Sequence, residues 1–202
     1  TPIVKRVLFF TFIENLNMKY YCIFLFISNL FIFKAMGQQY ESQTYTVIEQ
    51  REQFEIRYYP PVMKIQSDNS FGNLFGYISG NNESSSKIAM TTPVYMGNSK
   101  GEEVMEFVLP NTFNANNTPQ PVSSGVRVFQ TTPAYFIALD FSGYATASSR
   151  EKYSTKLKKL AQENAFETIG EPLLLVYNSP YRLFNRKNEI LLEIAANIIK
   201  NK

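Results

Sequence analysis

From Phe54 the chain alternates apolar and polar side chains through Glu55, Ile56, Arg57, Tyr58 and Tyr59, and the alternation stops at Pro60-Pro61. A two-residue period ended by proline predicts a strand whose end spares a ladder donor. The same reading predicts strands at Val62 to Gln66, Met90 to Met96 and Val104 to Leu109. After Pro119 and Pro121 the pattern starts again: Val126 to Thr132, Ala134 to Phe141, Leu173 to Asn178 and Asn188 to Ile194. Each half reads strand, strand, helix, strand, strand. The expected product is a pair of βαββ-like halves joined into a distorted antiparallel β-barrel flanked by two α-helices, class α+β.

The two predicted helices differ. In the second, Ser148 and Glu151 have capping-box spacing, and Tyr153, Leu157, Leu160 and Ala161 make one apolar face opposite Lys152, Lys156, Lys158, Lys159 and Glu163. In the first, about Phe71 to Ser79, Phe71, Leu74, Phe75 and Ile78 share a face, and no charge occurs between Asn69 and Asn82. Gly72 and Gly76 each cost about 1 kcal/mol relative to alanine in a helix interior. Two explanations stand side by side: the glycines let the helix sit close on the sheet, or they let a ligand approach its backbone.

Composition narrows the chemistry. The chain has no histidine, which excludes Ser-His-Asp and Cys-His hydrolysis, histidine-built zinc centres and a proximal imidazole on haem iron. Met18-Lys19, the uncharged apolar stretch from Tyr20 to Phe33, and then Ala35 and Gly37 resemble a secretory leader cut before Gln38. Residues 1–17 read as upstream sequence, and 38–202 as a single domain that is secreted or periplasmic, touching a membrane only through an uncleaved leader. Removing Lys5, Arg6, Lys19 and Lys34 from the 20 basic residues, and Glu14 from the 17 acidic ones, leaves equal numbers. Nucleic-acid binding then lacks a basic face. Cys22, the one cysteine, belongs to the leader, so the domain has no thiol chemistry. Asn82-Glu83-Ser84 and Asn116-Asn117-Thr118 fit the N-glycosylation triplet.

Ile88-Ala89-Met90-Thr91-Thr92-Pro93-Val94, Met105 to Pro110, Phe141-Ser142-Gly143, Tyr177-Asn178-Ser179-Pro180 and Arg186-Lys187-Asn188-Glu189-Ile190 closely resemble the SOUL family of haem-binding proteins, in order and spacing, from about Tyr45 to Ile194. The resemblance implies non-covalent binding of haem or a related porphyrin in a shallow apolar cleft between the first helix and the loop before the last strand. Carried over, that cofactor-binding cleft is lined by Phe71, Leu74, Phe75 and Ile78, with Met90 and Tyr181 nearby and Arg182 facing the propionates. Some members carry an axial histidine on the helix, where this chain has Gly72, Asn73 and Gly76. Iron is then held by contact alone or by Tyr77 or Met90, and no dedicated metal site is expected.

Two other functions remain open at this stage. The same fold can bind another flat hydrophobic ligand, or a protein partner on the first helix. An enzyme reading, a small-molecule hydrolase with a buried glutamate, points to Glu106 and Glu193 at matching places in the halves. On alternating strands each reads equally as an outward, solvated residue, and the reading preferred here is a binding protein, not an enzyme.

Overall fold

The computed structural model describes Tyr20 and residues 40–196 other than 69 and 100. The leader reading at 18–37 lies, but for Tyr20, outside the described residues, and the account below concerns the unit that begins at Tyr40. Its strands are β1 (Glu41–Ser42), β2 (Thr46–Gln50), β3 (Glu55–Tyr59), β4 (Met63–Ser67), β5 (Thr91–Thr92), β6 (Val94–Ser99), β7 (Glu102–Val108), β8 (Arg127–Gln130), β9 (Ala134–Ser142), β10 (Thr168–Val176) and β11 (Lys187–Ile194). The helices are α1 (Phe71–Ile78) and α2 (Ala147–Glu163). None of the described helices is long and apolar enough to cross a membrane.

Nine strands form one antiparallel sheet in the order β2-β3-β9-β11-β10-β6-β7-β4-β8, while β1 and β5 pair in parallel beside it. The sheet does not close, so the barrel-like architecture has a seam between β2 and β8. The internal repeat is written into this order. Exchanging β3 for β8, β9 for β4, β11 for β7 and β10 for β6 turns the core of the sequence of strands into its own reverse. The two-fold passes between β6 and β10, where Tyr95 pairs with Leu175. The first strand of each half pairs with the second strand of the other, β3 with β9 and β8 with β4, so neither half completes its sheet alone.

Alternation puts one set of side chains under the helices. Ile56, Ile137, Leu139, Leu174, Ile190 and Leu192 pack with Leu157, Leu160 and Ala161 of α2. Met63, Ile65, Phe107 and Leu109 pack with Leu74, Tyr77 and Ile78 of α1. The opposite set, including Tyr59, Tyr95, Ala138, Leu175 and Leu191, makes a third cluster on the helix-free face. Burial of this apolar area, at about 25 cal/mol per Å², is the main force holding the layers.

The helix starts need one adjustment. Ser70 caps α1 by accepting from the Asn73 amide. In α2 the cap is Thr146, which accepts from the Ser149 amide at 3.1 Å, so the expected box from Ser148 to Glu151 gives way to a start two residues earlier. Thr146, Ser148 and Ser149 all have capping chemistry. The Ser149 hydroxyl is engaged in the same turn, donating to the Tyr144 carbonyl at 2.9 Å.

Candidate functional site

Helix α1 presents a shelf to the outside. Phe71 and Phe75 are 49% and 51% exposed, and their rings lie 5.8 Å apart and nearly parallel, at 14°. Phe71 also rests edge-on against Phe107 at 5.3 Å, which anchors the exposed pair to the core. An exposed aromatic pair of this kind leaves apolar area in water that a ligand could cover. On the inner side Leu74 and Ile78 are buried with Met63, Ile65 and Phe107, while Met90 is partly buried against the same cluster. Leu74 and Ile78 therefore hold the helix down, and the phenylalanines form its outer surface.

The glycines of α1 lie beside that surface. A Cβ on Gly72 would meet nothing within 4 Å, and one on Gly76 would meet only the Asn81 amide nitrogen at 3.2 Å. Neither is a contact with the sheet, so close helix packing does not explain them. Bare backbone next to two exposed rings is what remains. Tyr77 is unsuited to ligate iron: it is 1% exposed, its hydroxyl donates to the Pro119 carbonyl at 2.6 Å, and burial pushes its pKa up to about 12.

Tyr181 and Arg182 belong to a different element, the loop between β10 and β11. Arg186 organises that loop by donating from one nitrogen to the carbonyls of Ser179, Pro180 and Arg182 at 3.1, 3.3 and 2.7 Å. Its guanidinium also lies over the Tyr144 ring. With the backbone pinned from inside, Tyr181, Leu183 and Phe184 point outward at 89%, 65% and 80% exposure. Arg182 is exposed, its Nε donating to the Phe184 carbonyl at 3.0 Å.

The helix-free face carries a charged cluster that alternation alone did not reveal. Arg57 and Glu189, 1% and 0% exposed, pair between Nη1 and Oε2 at 2.9 Å. Arg57 Nε also meets Glu55 at 2.6 Å, and its guanidinium covers the Tyr45 ring at 4.2 Å. Glu189 further accepts from the Tyr177 hydroxyl at 2.6 Å and pairs with Lys187 at 2.8 Å. Burial alone would raise the Glu189 pKa, but the Arg57 hydrogen bond and charge, then Lys187 and Tyr177, carry it below the usual carboxylate range. Burial, then the negative charge of Glu189, pushes the Tyr177 hydroxyl well up, so it remains a donor.

Register also corrects the pairing of carboxylates between halves. Tyr95 pairs with Glu106, and its two-fold mate Leu175 pairs with Glu189. The partner of Glu106 is Glu189, not Glu193. Neither Glu106 nor Glu193 is simply solvated: Glu106 accepts from Lys64 and Gln66 at 3.0 and 2.7 Å, and burial raises the Glu193 carboxyl. Among the described residues no group of three or more His, Cys, Asp or Glu could hold a metal ion.

The family model described as SOUL heme-binding protein matches residues 40–193. Heme-binding protein 2 of Homo sapiens is 25% identical over 158 residues, which cover 69% of this chain and 77% of that protein. Heme-binding protein 2 of Mus musculus is 26% identical over 164 residues, with the same two shares, 69% and 77%. Among solved structures the EcmrR C-terminal domain aligns with a TM-score of 0.52 at 13% identity, covering 71% of this chain and 97% of that one, a likeness of fold alone.

Proposed function

Because the chain belongs to the SOUL heme-binding protein family, we propose that it binds haem or a related porphyrin flat against the exposed phenylalanines of α1, without covalent attachment and without an imidazole on the iron. The observation that carries this reading is the stacked pair Phe71 and Phe75, half exposed, next to a Gly72 with open space around its Cα. A planar macrocycle covers such a surface by offset stacking and excludes water from both rings. Its edge can approach the helix backbone at Gly72 more closely than any side chain there would permit.

Arg182 supplies the cation for the propionates in this reading. A guanidinium presents a planar donor fork that matches a carboxylate, and its exposure leaves the outer nitrogens turned to solvent. The attachment is non-covalent because the one cysteine, Cys22, lies outside the matched residues. Haem would be held through its macrocycle, with no histidine in the chain and Tyr77 committed to the Pro119 carbonyl, and Met90, partly buried on the α1 cluster, is the remaining candidate for contact with the iron. Bound haem would supply its iron to whatever chemistry follows; the chain's own residues bind and orient the ring. Glu106 is engaged by Lys64 and Gln66 and is not free to activate a water, which argues against the hydrolase reading.

The test is a hemin titration followed at the Soret band, with the chain and with a Phe71→Ser/Phe75→Ser double variant. Removing two aromatic contacts weakens binding by roughly tenfold or more, with the circular dichroism spectrum unchanged. Equal affinity in the two proteins would move the ligand away from α1. No Soret response in either would favour a protein partner on that helix.

A further inference from the structure

The helix-free face holds a cavity of about 320 Å³ on the β8 side of the sheet, lined by Tyr59, Lys64, Tyr95, Phe129, Phe136 and Glu193, among others. It is separate from the α1 shelf, since alternation sends Lys64 to one face of β4 and the α1-packed Met63 and Ile65 to the other. That volume lies within the range of small-molecule sites, about 300 to 1,000 Å³. Four of its lining side chains are aromatic, beside Gln43, Gln130, Thr131 and Thr132, and Tyr59 and Phe136 meet edge to face at 5.4 Å.

Lys64 is the unusual member of this lining. It lines the cavity with only 7% of its side chain exposed, and its amine lies 3.0 Å from Glu106 Oε2 and 3.3 Å from the centre of the Tyr95 ring. The other half of the repeat has no such amine. Ala138 stands across β11 as Lys64 stands across β7, and Glu189, the counterpart of Glu106, is taken up by Arg57, Tyr177 and Lys187. Burial lowers the pKa of Lys64 against the opposing pull of Glu106, which brings the uncharged amine nearer to neutral pH.

We propose that this cavity captures carbonyl compounds, with the Lys64 amine forming an imine with a single-ring aromatic aldehyde stacked between Tyr59, Tyr95, Phe129 and Phe136. The nitrogen adds to the carbonyl carbon, and the C=O π bond opens to a carbinolamine. The two protons that leave the ammonium pass, by way of Glu106, to the carbonyl oxygen. The C–O bond then breaks, water departs, and the protonated imine on Lys64 keeps the single positive charge that faces Glu106. Glu106 and Tyr95 lie against the Lys64 amine, and Tyr59 and Glu193 line the same cavity; the two tyrosines are held protonated by burial, so Glu106 is the nearest proton carrier.

The experiment treats the full chain with benzaldehyde and sodium cyanoborohydride at neutral pH and follows each lysine by peptide mass mapping. Lys64 is expected to acquire the benzyl group at least about tenfold faster than exposed Lys152 and Lys156, as a desolvated amine in an apolar pocket should. Unfolding the chain first should abolish that difference. Ala134→Trp, which adds bulk at the cavity wall, should slow Lys64 and leave Lys152 unchanged; Lys64→Met should remove the fast site. Labelling of Lys64 no faster than the surface lysines, or an Ala134→Trp chain labelled at the original rate, overturns the proposal. The wild-type comparison decides even where a variant fails to fold.

Discussion

Arg57 and Glu189 lie 132 residues apart in sequence and share two hydrogen bonds, 2.9 and 3.3 Å, with both side chains withdrawn from water. Taking both ions out of water is costly, and the fold offsets that cost only because each has further partners in Glu55, Tyr45, Lys187 and Tyr177. Arg57→Met would leave Glu189 buried without its main cation. Its expected cost is about 3 to 5 kcal/mol, read from urea denaturation. Adding Glu189→Leu should recover a large part of it, because the double variant leaves no lone charge; a double variant weaker than Arg57→Met would contradict this account.

Asp140 gives the fold a pH dependence of the opposite sign from Glu189. Partial burial, then the charge of Glu189, raises its carboxyl to about 6 from the model-peptide value of 3.8. The folded chain thus binds more protons than the unfolded one between those values, and stability falls as pH rises through that window. Its side chain is 61% exposed, so solvent screening reduces the effect to about 1 kcal/mol or less. Asp140→Asn should be the more stable protein at pH 7 and indistinguishable at pH 4 in thermal melts. Identical melts at both pH values would remove Asp140 from the balance.

Asn82 fits the N-glycosylation triplet, and its surroundings give it another task. Its amide nitrogen donates to the carbonyls of Tyr77 and Ser86 at 2.9 and 2.8 Å, and its oxygen accepts from Ser84 Oγ and the Ser86 amide at 2.8 and 3.2 Å. At 2% exposure it closes the turn after α1. Asn82→Ala should cost about 2 to 3 kcal/mol through partners left unbonded, measured by denaturant unfolding. Exposed Asn116 offers no such constraint, and Asn116→Ala should be neutral.

Gly72 separates folding from binding. With open space around it, Gly72→Ala should stabilise the chain by about 0.5 to 1 kcal/mol through helix propensity. The same methyl group would lift a flat ligand from the backbone, so hemin affinity should fall while the melting temperature rises. A variant that gains both stability and affinity would contradict close approach at this position.

Much of the fold was legible because β3, β4, β6, β7, β9 and β11 each carry a face that must be buried, and a buried face imposes a two-residue period. Edge strand β2 escaped because four of its five residues are exposed, leaving no period to read. The phenylalanine surface was legible in the uncharged pattern from Phe71 to Ile78. Which residues of that stripe face outward was not, since packing against Phe107 and Met63 decides it. In the sequence Glu189 stands only as one residue of the family-like stretch Arg186 to Ile190. Its cation is on β3, and only the pairing of β3 with β9 and of β9 with β11 brings the two within reach. The false match of Glu106 with Glu193 has the same origin: register, not position along a motif, sets which residues are equivalent.

The most direct measurement of where the ligand lies uses the ferric iron of hemin as a relaxation probe in ¹H–¹⁵N spectra of the labelled chain. The account predicts that the amide signals of Gly72, Phe75 and Gly76 broaden first as hemin is added, while those of Lys64, Tyr95 and Phe129 persist. Loss centred on the latter three, with α1 unaffected, would contradict it.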